Sequence, residues 1–255
     1  MARTRVTLVT RGDDSGACHS ANVAIRDACT EGILRNTSII VPGPAFEEAA
    51  EMYRDMDDLC VGLHATVTAE WDAVRWGPVL GPDKVPSLVD EDGHFPTDTH
   101  KLNDMEADPD EMMREIQAQL EMARAHGLDI AYIDTHMGFG WVRGIGERVK
   151  KLAAEQGLLT WDNVLRLPRP DGEFDSAVHR VIAGLKAAEP GTYLIVGHPV
   201  YPEQDVLDLV TDPARGRQVA ADRDWQRRMF MDPDILDFCE AHGVEAARFT
   251  DVASA

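Results

Sequence analysis

The sequence predicts an α/β protein built around a parallel β-sheet. About seven short runs rich in apolar and β-branched residues alternate with segments whose apolar residues recur at helical spacing. No internal repeat and no shift in composition divides the 255 residues, 44% of which are hydrophobic, so one large domain spanning residues 1–255 is expected. At this length a closed or partly closed (β/α) barrel competes with an open, doubly wound sheet.

The N-terminal part of the chain predicts two strand–helix units and a third strand. A β-rich run at residues 6–9 ends in polar residues, and the apolar spacing that follows predicts a helix at 20–32. The next strand is predicted at 37–41, where a Pro-Gly-Pro turn closes it, and a helix follows at 45–56. The run at 59–63 predicts the third strand.

The rest of the chain contains one long irregular segment and then resumes the alternation. Residues 68–103 hold several Gly and Pro and no sustained period, so a long loop insertion on the functional face is predicted. An amphipathic helix is predicted at 109–125, ended by Gly127. Beyond it, strands are predicted at 130–133, 158–161, 192–196 and 245–249, with helices at 145–156, 176–188 and 234–242.

The composition excludes several classes of function. The chain has 25 Lys and Arg against 45 Asp and Glu, and a net charge of −20 repels nucleic acid and anionic membrane surfaces, so neither is an expected partner. The four cysteines form no Cys-x-x-Cys pair, which predicts reduced thiols and a cytoplasmic location. No stretch resembles a signal-peptide core or the ~20 apolar residues of a membrane span. A homodimer is compatible with these features.

Polar residues that can carry chemistry come immediately after four of the predicted strands. They are Asp13 and Asp14 after the first strand, His64 after the third, His136 after the strand at 130–133 and His198 after the strand at 192–196. Because the carboxyl ends of parallel strands form one face of the fold, these five side chains are expected to meet at one rim.

Such a set of residues is typical of a catalytic metal site. One carboxylate and two imidazoles commonly hold a divalent ion, and zinc would suit the histidines. A second carboxylate can take a proton from water, and adjacent aspartates suit this division of roles. Successive side chains of an extended segment point to opposite sides, so the pair can face one substrate only if the chain bends, which Gly12 and Gly16 permit. The remaining histidine, His198, could protonate a leaving group.

A series of short motifs runs from about Val6 to Phe249. The motifs are Arg11-Gly12-Asp13-Asp14-Ser15-Gly16, Thr37-Ser38-Ile39-Ile40-Val41-Pro42-Gly43-Pro44-Ala45-Phe46, Val61-Gly62-Leu63-His64, Ile133-Asp134-Thr135-His136, Gly197-His198-Pro199, and Arg223 ahead of Asp232-Pro233. In this order and spacing they resemble the YdjC-like carbohydrate deacetylase family, which includes chitooligosaccharide deacetylases. The resemblance implies a distorted or incomplete (β/α) barrel and the metal-dependent removal of an N-acetyl group from an amino sugar.

The resemblance also implies roles for individual residues. Asp14, His64 and His136 match the ligands of one divalent metal ion, Zn²⁺ or Mg²⁺. Asp13 matches the general base that takes a proton from the attacking water, and His198 matches the acid that protonates the departing amine. The implied enzyme is a hydrolase that cleaves a carbon–nitrogen amide bond.

Three more residues are expected near the sugar. Trp141 follows the third ligand, where an aromatic ring could stack on a sugar face, and Arg223 belongs to the C-terminal motif. Asp134 lies two residues before a ligand and could hold a neighbouring side chain by a charged hydrogen bond. Trp71 and Trp76 lie in the insertion and are interpreted mainly as its core.

The chain departs from the family pattern at a few positions. Ser15 replaces an aromatic residue, Tyr132 and Gly138 replace histidines that flank the third ligand, and Val200 replaces a glycine. These changes leave the metal ligands intact and bear on the substrate. They motivate one alternative, a catalytically idle descendant that binds a sugar or a partner protein. A further alternative is another metal-dependent hydrolase or lyase on the same fold, because the ion and the base would serve those reactions too.

Overall fold

A computed structural model describes residues 5–160 and 164–252, and its strands form one parallel sheet. The strands are β1 (Val6–Ser15), β2 (Asn36–Ile39), β3 (Cys60–Ala65), β4 (Ile130–Thr135), β5 (Leu165–Arg166), β6 (Gly191–Gly197) and β7 (Glu245–Ala247). Their order in the sheet is β4-β3-β2-β1-β6-β5, and β7 pairs with β1. The sheet curls into a half-barrel, so the fold is the distorted, incomplete (β/α) barrel that was expected.

Most helices lie between strands in the chain and pack on the outer face of the sheet, whereas the last helix follows β7 and contacts the inner face. They are α1 (His19–Thr30), α2 (Phe46–Tyr53), α3 (Thr99–Asp104), α4 (Pro109–Ala125), α5 (Ile145–Gln156), α6 (Ala177–Ala187), α7 (Gln204–Leu207), α8 (Pro213–Met231), α9 (Pro233–His242) and α10 (Phe249–Val252). Three 3₁₀ segments are Pro82–Lys84, Pro86–Leu88 and His136–Gly144. Within the described ranges, no helix is both long enough and apolar enough to cross a membrane.

The helices predicted at 109–125 and 145–156 are confirmed at both ends, because local signals fix them. Asp108 precedes α4, and its side chain accepts a hydrogen bond from the backbone N–H of Asp110. Pro109 occupies the first turn, where a missing N–H costs nothing. At the other helix, Gly157 ends α5 in the left-handed conformation, with φ of 68°.

Apolar side chains pack on both faces of the curled sheet. The large core lies outside, between the sheet and the helices, and includes Leu8 and Leu63. A smaller cluster lies inside the half-barrel and is built around Val9, Cys60 and Tyr132. Because side chains alternate along a strand, the residues that follow these three at steps of two also face the interior.

Several strands are longer than the sequence predicted. β1 extends to Ser15, β3 to Ala65 and β4 to Thr135. The prediction that the aspartates and His64 lie after their strands was therefore wrong. They lie within the last three residues of their strands, whose backbones remain paired with neighbouring strands up to the open rim.

Two further predictions need correction. Of the strand predicted at 158–161, Leu159 forms only an isolated bridge with Tyr132, residue 161 lies outside the described residues, and the next strand is β5. The 19-residue helix α8 was not predicted. Its buried residues include Gly216, Ala220 and Asp224, so it lacks the apolar stripe that identifies most helices.

The segment 68–103 contains no strand; it holds two 3₁₀ segments and the start of α3, and it is well packed. Trp76 and Phe95 are buried, and the backbone N–H of Phe95 donates to the carbonyl of Trp76. Glu115 of α4 anchors the segment, because its carboxylate accepts hydrogen bonds from the N–H groups of Val79 and Leu80 at 2.9 and 3.1 Å. The insertion therefore forms a fixed wall beside the half-barrel.

A buried asparagine joins the beginning of the sheet to its end. β2 and β7 pair with the same edge of β1, β7 along residues 7–9 and β2 from Arg11 onward. Asn36 stands where they meet, and its amide donates to the carbonyls of Thr10 and Ala247. Its side-chain oxygen accepts from the backbone N–H of Phe249. The gap between the two strands is thus closed by one side chain.

Candidate active site

Interior positions of four strands converge at the open rim of the half-barrel. Along β1, β3 and β4, the residues of the inner cluster, Val9, Cys60 and Tyr132, are followed toward the strand end by the polar side chains of Asp13, His64 and Asp134, and His198 follows β6 directly. The cavity at the rim is lined by Arg11, Asp13, Asp14, His64, Glu70, Asp134, Thr135, His136, Met137, Gly138, Val196, His198 and Arg223. Its volume is about 420 Å³. All five residues predicted to meet at the rim are among them.

The two aspartates face one cavity because the backbone of β1 is irregular between them. The register of β1 against β2 shifts between Gly12 and Ser15. Asp14 itself lies in the left-handed region, with φ of 68°, and Gly16 follows with φ of 91°. The bend expected from the flanking glycines is thus present, but Asp14 carries part of it.

Arg11 holds Asp13 in place. Its Nε donates to Asp13 Oδ1 at 2.6 Å and its Nη2 to Oδ2 at 2.8 Å, a bidentate ion pair with both side chains buried. Nη1 of the same guanidinium lies 2.6 Å from Asp134 Oδ2. Arg11 belongs to the first motif but was not assigned a role; its position two residues before Asp13, on the same face of the strand, was the available signal.

Asp14, His64 and His136 present three atoms that could hold a metal ion. Asp14 Oδ1 lies 3.5 Å from His64 Nε2 and 3.8 Å from His136 Nε2. Ligand atoms on a tetrahedral ion with bonds of about 2.1 Å are about 3.4 Å apart. Asp14 Oδ1 and His136 Nε2 are buried and make no hydrogen bond within the described part of the chain, so both remain available to an ion. The residues present therefore fit a divalent cation.

Neighbouring side chains orient the two imidazole rings. His64 Nδ1 donates to Asp134 Oδ1 at 2.6 Å, and His136 Nδ1 lies 3.0 Å from Thr68 Oγ1. Both contacts leave Nε2 directed toward Asp14. Asp134 also accepts from Ser38 Oγ at 3.0 Å, so its oxygens are occupied by three side chains of the protein.

The two rings differ in their protonation. Burial lowers the pKa of His136 to about 3, which keeps this ring neutral. Burial also opposes the charged form of His64, but the carboxylates of Asp134 and Asp13 outweigh it and raise the pKa of His64 well above its usual value. In the absence of a cation, His64 is therefore an imidazolium at neutral pH.

His198 faces the same cavity from the end of β6. Its Nε2 lies 3.9 Å from Asp14 Oδ2. Its Nδ1 donates to Gln226 Oε1 at 3.0 Å, and its backbone N–H donates to the same oxygen at 2.8 Å. Gln226 lies on α8, and no sequence pattern pointed to it.

The cavity also contains a glutamate that sequence reasoning missed. Glu70 lies in the insertion, 3.5 Å from Nη2 of Arg223. Burial raises the pKa of Glu70 to about 7, and the nearby charge of Asp14 adds to the rise. Residue 70 belongs to a segment without periodicity, so nothing in the sequence placed it near Asp14. Arg223 itself was predicted to be near the sugar and does line the cavity.

The tryptophans divide as the sequence analysis favoured. Trp71 and Trp76 are buried in the insertion. Trp141 is 52% exposed, and its ring centroid lies 5.3 Å from that of His100. It is absent from the residues that line the cavity. A contact of Trp141 with a sugar therefore requires a ligand that extends beyond the cavity.

Most of the departures from the family pattern lie away from the cavity. Ser15 and Val200 are buried and do not line it, and Tyr132 packs inside the half-barrel. Gly138 does line the cavity, and a Cβ built on it meets no atom within 4 Å. Of these positions, residue 138 is therefore the one where a larger side chain would change the shape of the cavity.

A second cavity adjoins the first. It has a volume of about 400 Å³ and shares Arg11 and Val196 with the rim cavity. Arg166, Arg169 and Arg180 line it, and none of the described residues that line it is acidic. The described lining of this cavity is therefore positively charged, in contrast to the chain as a whole.

Comparisons with known proteins agree with the geometry. The model of the family described as YdjC-like protein matches residues 7–241. A carbohydrate deacetylase of Thermoanaerobacter pseudethanolicus is 28% identical over 93% of this chain and 95% of its own length. A carbohydrate deacetylase of Brevibacillus brevis is 33% identical over 51% of this chain and 48% of the relative.

A solved structure shows the same fold. A protein of Enterococcus faecalis, provisionally described as a cellobiose-phosphate cleavage protein, superimposes with a TM-score of 0.78 at 20% sequence identity. The match covers 97% of this chain and 99% of the other. At this identity the likeness shows the fold alone.

Proposed function

The chain belongs to the YdjC-like protein family. On that premise we propose that it is a metal-dependent deacetylase whose substrate is an acetylated amino sugar similar to a chitooligosaccharide. The observation that carries the proposal is the convergence of Asp14, His64 and His136 on one point, with the Asp13 carboxylate beside them in the same cavity. A carbohydrate-binding module has no evident need for a base next to three metal ligands.

The residues proposed to hold the ion are Asp14, His64 and His136, through Oδ1 and the two Nε2 atoms. When bound, a divalent ion such as Zn²⁺ or Mg²⁺ supplies Lewis acidity, which lowers the pKa of a water molecule and polarises an amide carbonyl. Asp134 and Thr68 hold the imidazole rings in the orientation that this requires.

Asp13 is proposed as the general base. Its carboxylate lines the cavity beside the three ligands and is fixed by the two hydrogen bonds from Arg11. It would accept the proton of the attacking water as the new carbon–oxygen bond forms. The ion pair keeps the carboxylate in one orientation, so little reorganisation accompanies the proton transfer.

His198 is proposed as the acid. Gln226 accepts from its Nδ1, which fixes the ring and directs Nε2 into the cavity. From the protonated ring, Nε2 would give its proton to the sugar nitrogen as the carbon–nitrogen bond breaks. The products are acetate and a free amino sugar.

The sugar is proposed to enter from the open rim, with Arg223 and Trp141 as further contacts. Asp134 is proposed to act only through His64 and Arg11, because its oxygens are already occupied. We also infer that the chain forms one domain. We infer a cytoplasmic location, since the four cysteines are buried and free of disulfides.

The test is the release of acetate from N-acetylated mono- and disaccharides, with Zn²⁺, Mg²⁺ or chelator. The panel includes neutral and anionic sugars, because arginines line the adjoining cavity. We expect acetate release that depends on the metal. In Asp13→Asn we expect the metal to stay bound and turnover to fall by at least about 100-fold.

Unimpaired turnover in Asp13→Asn would contradict the proposed base. A protein that binds metal stoichiometrically but releases no acetate would point to a different substrate. A protein that does neither would favour the idle descendant.

A further inference from the structure

The cavity contains a guanidinium donor that the proposed reaction does not yet use. Arg223 reaches the cavity from α8, and its side chain is largely buried. Its Nη1 lies 3.3 Å from Asp14 Oδ2, but the two groups are not in hydrogen-bond geometry. Nη1 is buried and makes no hydrogen bond within the residues that the structure describes. Burying such a donor is costly unless something accepts from it.

Two residues of the insertion hold this guanidinium from the side. Glu70 Oε1 lies 3.5 Å from Nη2, and the centre of the guanidinium lies 5.7 Å from the ring centroid of Trp71. Glu70 is largely buried, and Trp71 is buried as well. The guanidinium is therefore held through Nη2 and through one face, whereas Nη1 has no hydrogen-bond partner among the described residues, and the side chain lines the cavity.

The position of the donor suits an acceptor on the reacting group. Nη1 is close to Asp14, so a substrate carbonyl next to the proposed ligands would lie within reach of it. During amide hydrolysis the water oxygen bonds to the carbonyl carbon, and the π pair moves to the carbonyl oxygen. A fixed cation beside that oxygen stabilises the developing charge.

We propose that Arg223 donates through Nη1 to the acetyl carbonyl oxygen of the substrate, and that Glu70 and Trp71 are positioning residues that aim it. The proposal rests on the proposed deacetylase function. The charge that reaches the oxygen is stabilised there until the carbon–nitrogen bond breaks, when the pair returns to re-form the carbonyl and the nitrogen takes the proton from His198. Arg223 is neither protonated nor deprotonated in this sequence.

The insertion positions this donor from one side of the cavity. Residues 68–103 supply both positioning side chains, while the helix that carries Arg223 comes from the other end of the chain. A guanidinium that served only to neutralise Asp14 would need neither Glu70, which competes for its charge, nor an unsatisfied Nη1.

The test measures binding of two probes, acetate and methylphosphonate, by calorimetry to the zinc-loaded protein. Both present oxygens in place of the reacting carbonyl, and methylphosphonate adds tetrahedral geometry and charge. We expect Arg223→Met to weaken methylphosphonate binding by at least about 10-fold, while zinc affinity stays within about 3-fold of wild type. The control is Arg217→Met, which removes the same charge from an exposed position of the same helix and should change neither.

The positioning residues are tested by kinetics. Glu70→Gln and Trp71→Leu are expected to lower kcat by at least about 10-fold with little change in KM, and Trp71→Phe, which keeps an aromatic ring, should recover most of the loss. Equal methylphosphonate affinity in wild type and Arg223→Met would overturn the proposal. So would an effect on zinc affinity alone. A wild-type protein that releases no acetate would refute the proposed function, whereas probe binding, which needs no turnover, would still decide the role of Arg223.

Discussion

At the scale of single residues, the site depends on an aspartate whose backbone lies where few residues are stable. Asp14 has φ of 68°, a conformation that Asn and Asp adopt more readily than other non-glycine residues. Its neighbour Asp13 stays extended on β1 and is held by Arg11. The same pair of adjacent residues therefore supplies both a metal ligand and a base without an intervening loop.

This conformation defines a clean test of the ligand. Asp14→Asn keeps both the shape and the tolerance for positive φ but removes the charge from Oδ1. We expect zinc affinity to fall by more than about 100-fold. The free energy of unfolding of the metal-free protein should fall as well, because His64 and Arg223 lose a buried counter-charge. Isothermal titration with zinc and urea denaturation of the same samples measure both quantities. A variant that binds zinc as well as wild type would remove Asp14 from the ligand set.

His64 leads to a prediction about protons. Its pKa is raised well above the usual value by Asp134 and Asp13, so the ring is charged at neutral pH until a metal ion displaces the proton. Zinc binding near pH 7 should therefore release about one proton, and affinity should increase as pH rises. Titration in buffers of different ionisation enthalpy counts the protons released. Release of none would mean that His64 is already neutral or is not a ligand.

At this scale, the sequence predicted site residues only where they belong to a regular pattern of strands. Asp13, His64 and His136 were predicted because strand ends meet at one rim, which residue order alone reveals. Glu70 was not, because its approach to Arg223 spans 153 residues and depends on how an irregular segment packs. No periodic pattern in the sequence predicts such a contact.

At the scale of elements, β3 and β4 pack together through a glycine on β3 and a tyrosine ring on β4. A Cβ on Gly62 would lie 2.3 Å from Cε2 of Tyr132, so the tyrosine ring occupies the space above this residue. The ring also packs on Phe249 at 4.5 Å between centroids, and its hydroxyl lies 3.0 Å from Ser38 Oγ. The ring thus connects two strands to the C-terminal segment.

Replacing this glycine should therefore be costly. We expect Gly62→Ala to lower the free energy of unfolding by about 1–3 kcal/mol, because Tyr132 must move from its contacts. Gly191→Ala is a matched control on β6, since the nearest atom to its Cβ would be 3.4 Å away. Urea denaturation measures both. A Tyr132→Leu background should reduce the cost of Gly62→Ala, and an unchanged cost would contradict the explanation.

The anchoring of the insertion by α4 leads to a prediction about pH. Burial raises the pKa of Glu115 above the usual value of 4.5, although hydrogen bonds from Gln119 and the insertion oppose this. As pH rises through that range, the unfolded chain loses the proton first, so Glu115 stabilises the fold less at higher pH. The stability of wild type relative to Glu115→Gln should therefore fall as pH rises from about 4 to about 7.

Paired urea denaturations across this range measure the difference in unfolding free energy. The comparison cancels the titration of the other carboxylates, which both proteins share. A difference that stays constant or grows with pH would show that folding does not raise the pKa of Glu115.

Helix boundaries show how local signals decide what a sequence reveals. α4 was predicted at both ends because it has a capping aspartate, a first-turn proline and an apolar stripe. α8 has the same kind of start, Asp212 before Pro213, but its buried residues are small or charged until Met229 and Phe230 near its end. Without the stripe, the cap alone did not identify the longest helix of the fold.

At the scale of the whole molecule, the alternation of strands and helices predicted a parallel α/β fold but left its closure undecided. An open sheet and a barrel share the same local pattern, and the choice depends on which strands pair. Here the pairing of β1 with β2, β6 and β7 curls the sheet, and the resemblance to a known family had favoured that outcome. Neither the short β5 nor the isolated bridge at Leu159 could be read from residue preferences.

The link between Asn36 and the C-terminal segment has a consequence for how the chain reaches this fold. The hydrogen bond from Asn36 to Ala247 joins positions 211 residues apart, so the free edge of β1 is completed only when both ends of the chain have met. Closing so long a loop is entropically unfavourable until the intervening units are compact. During synthesis, β1 emerges well before β7, so the edge of β1 at residues 7–9 stays unpaired until β7 arrives. A strand that is made early is thus among the last to be fully paired.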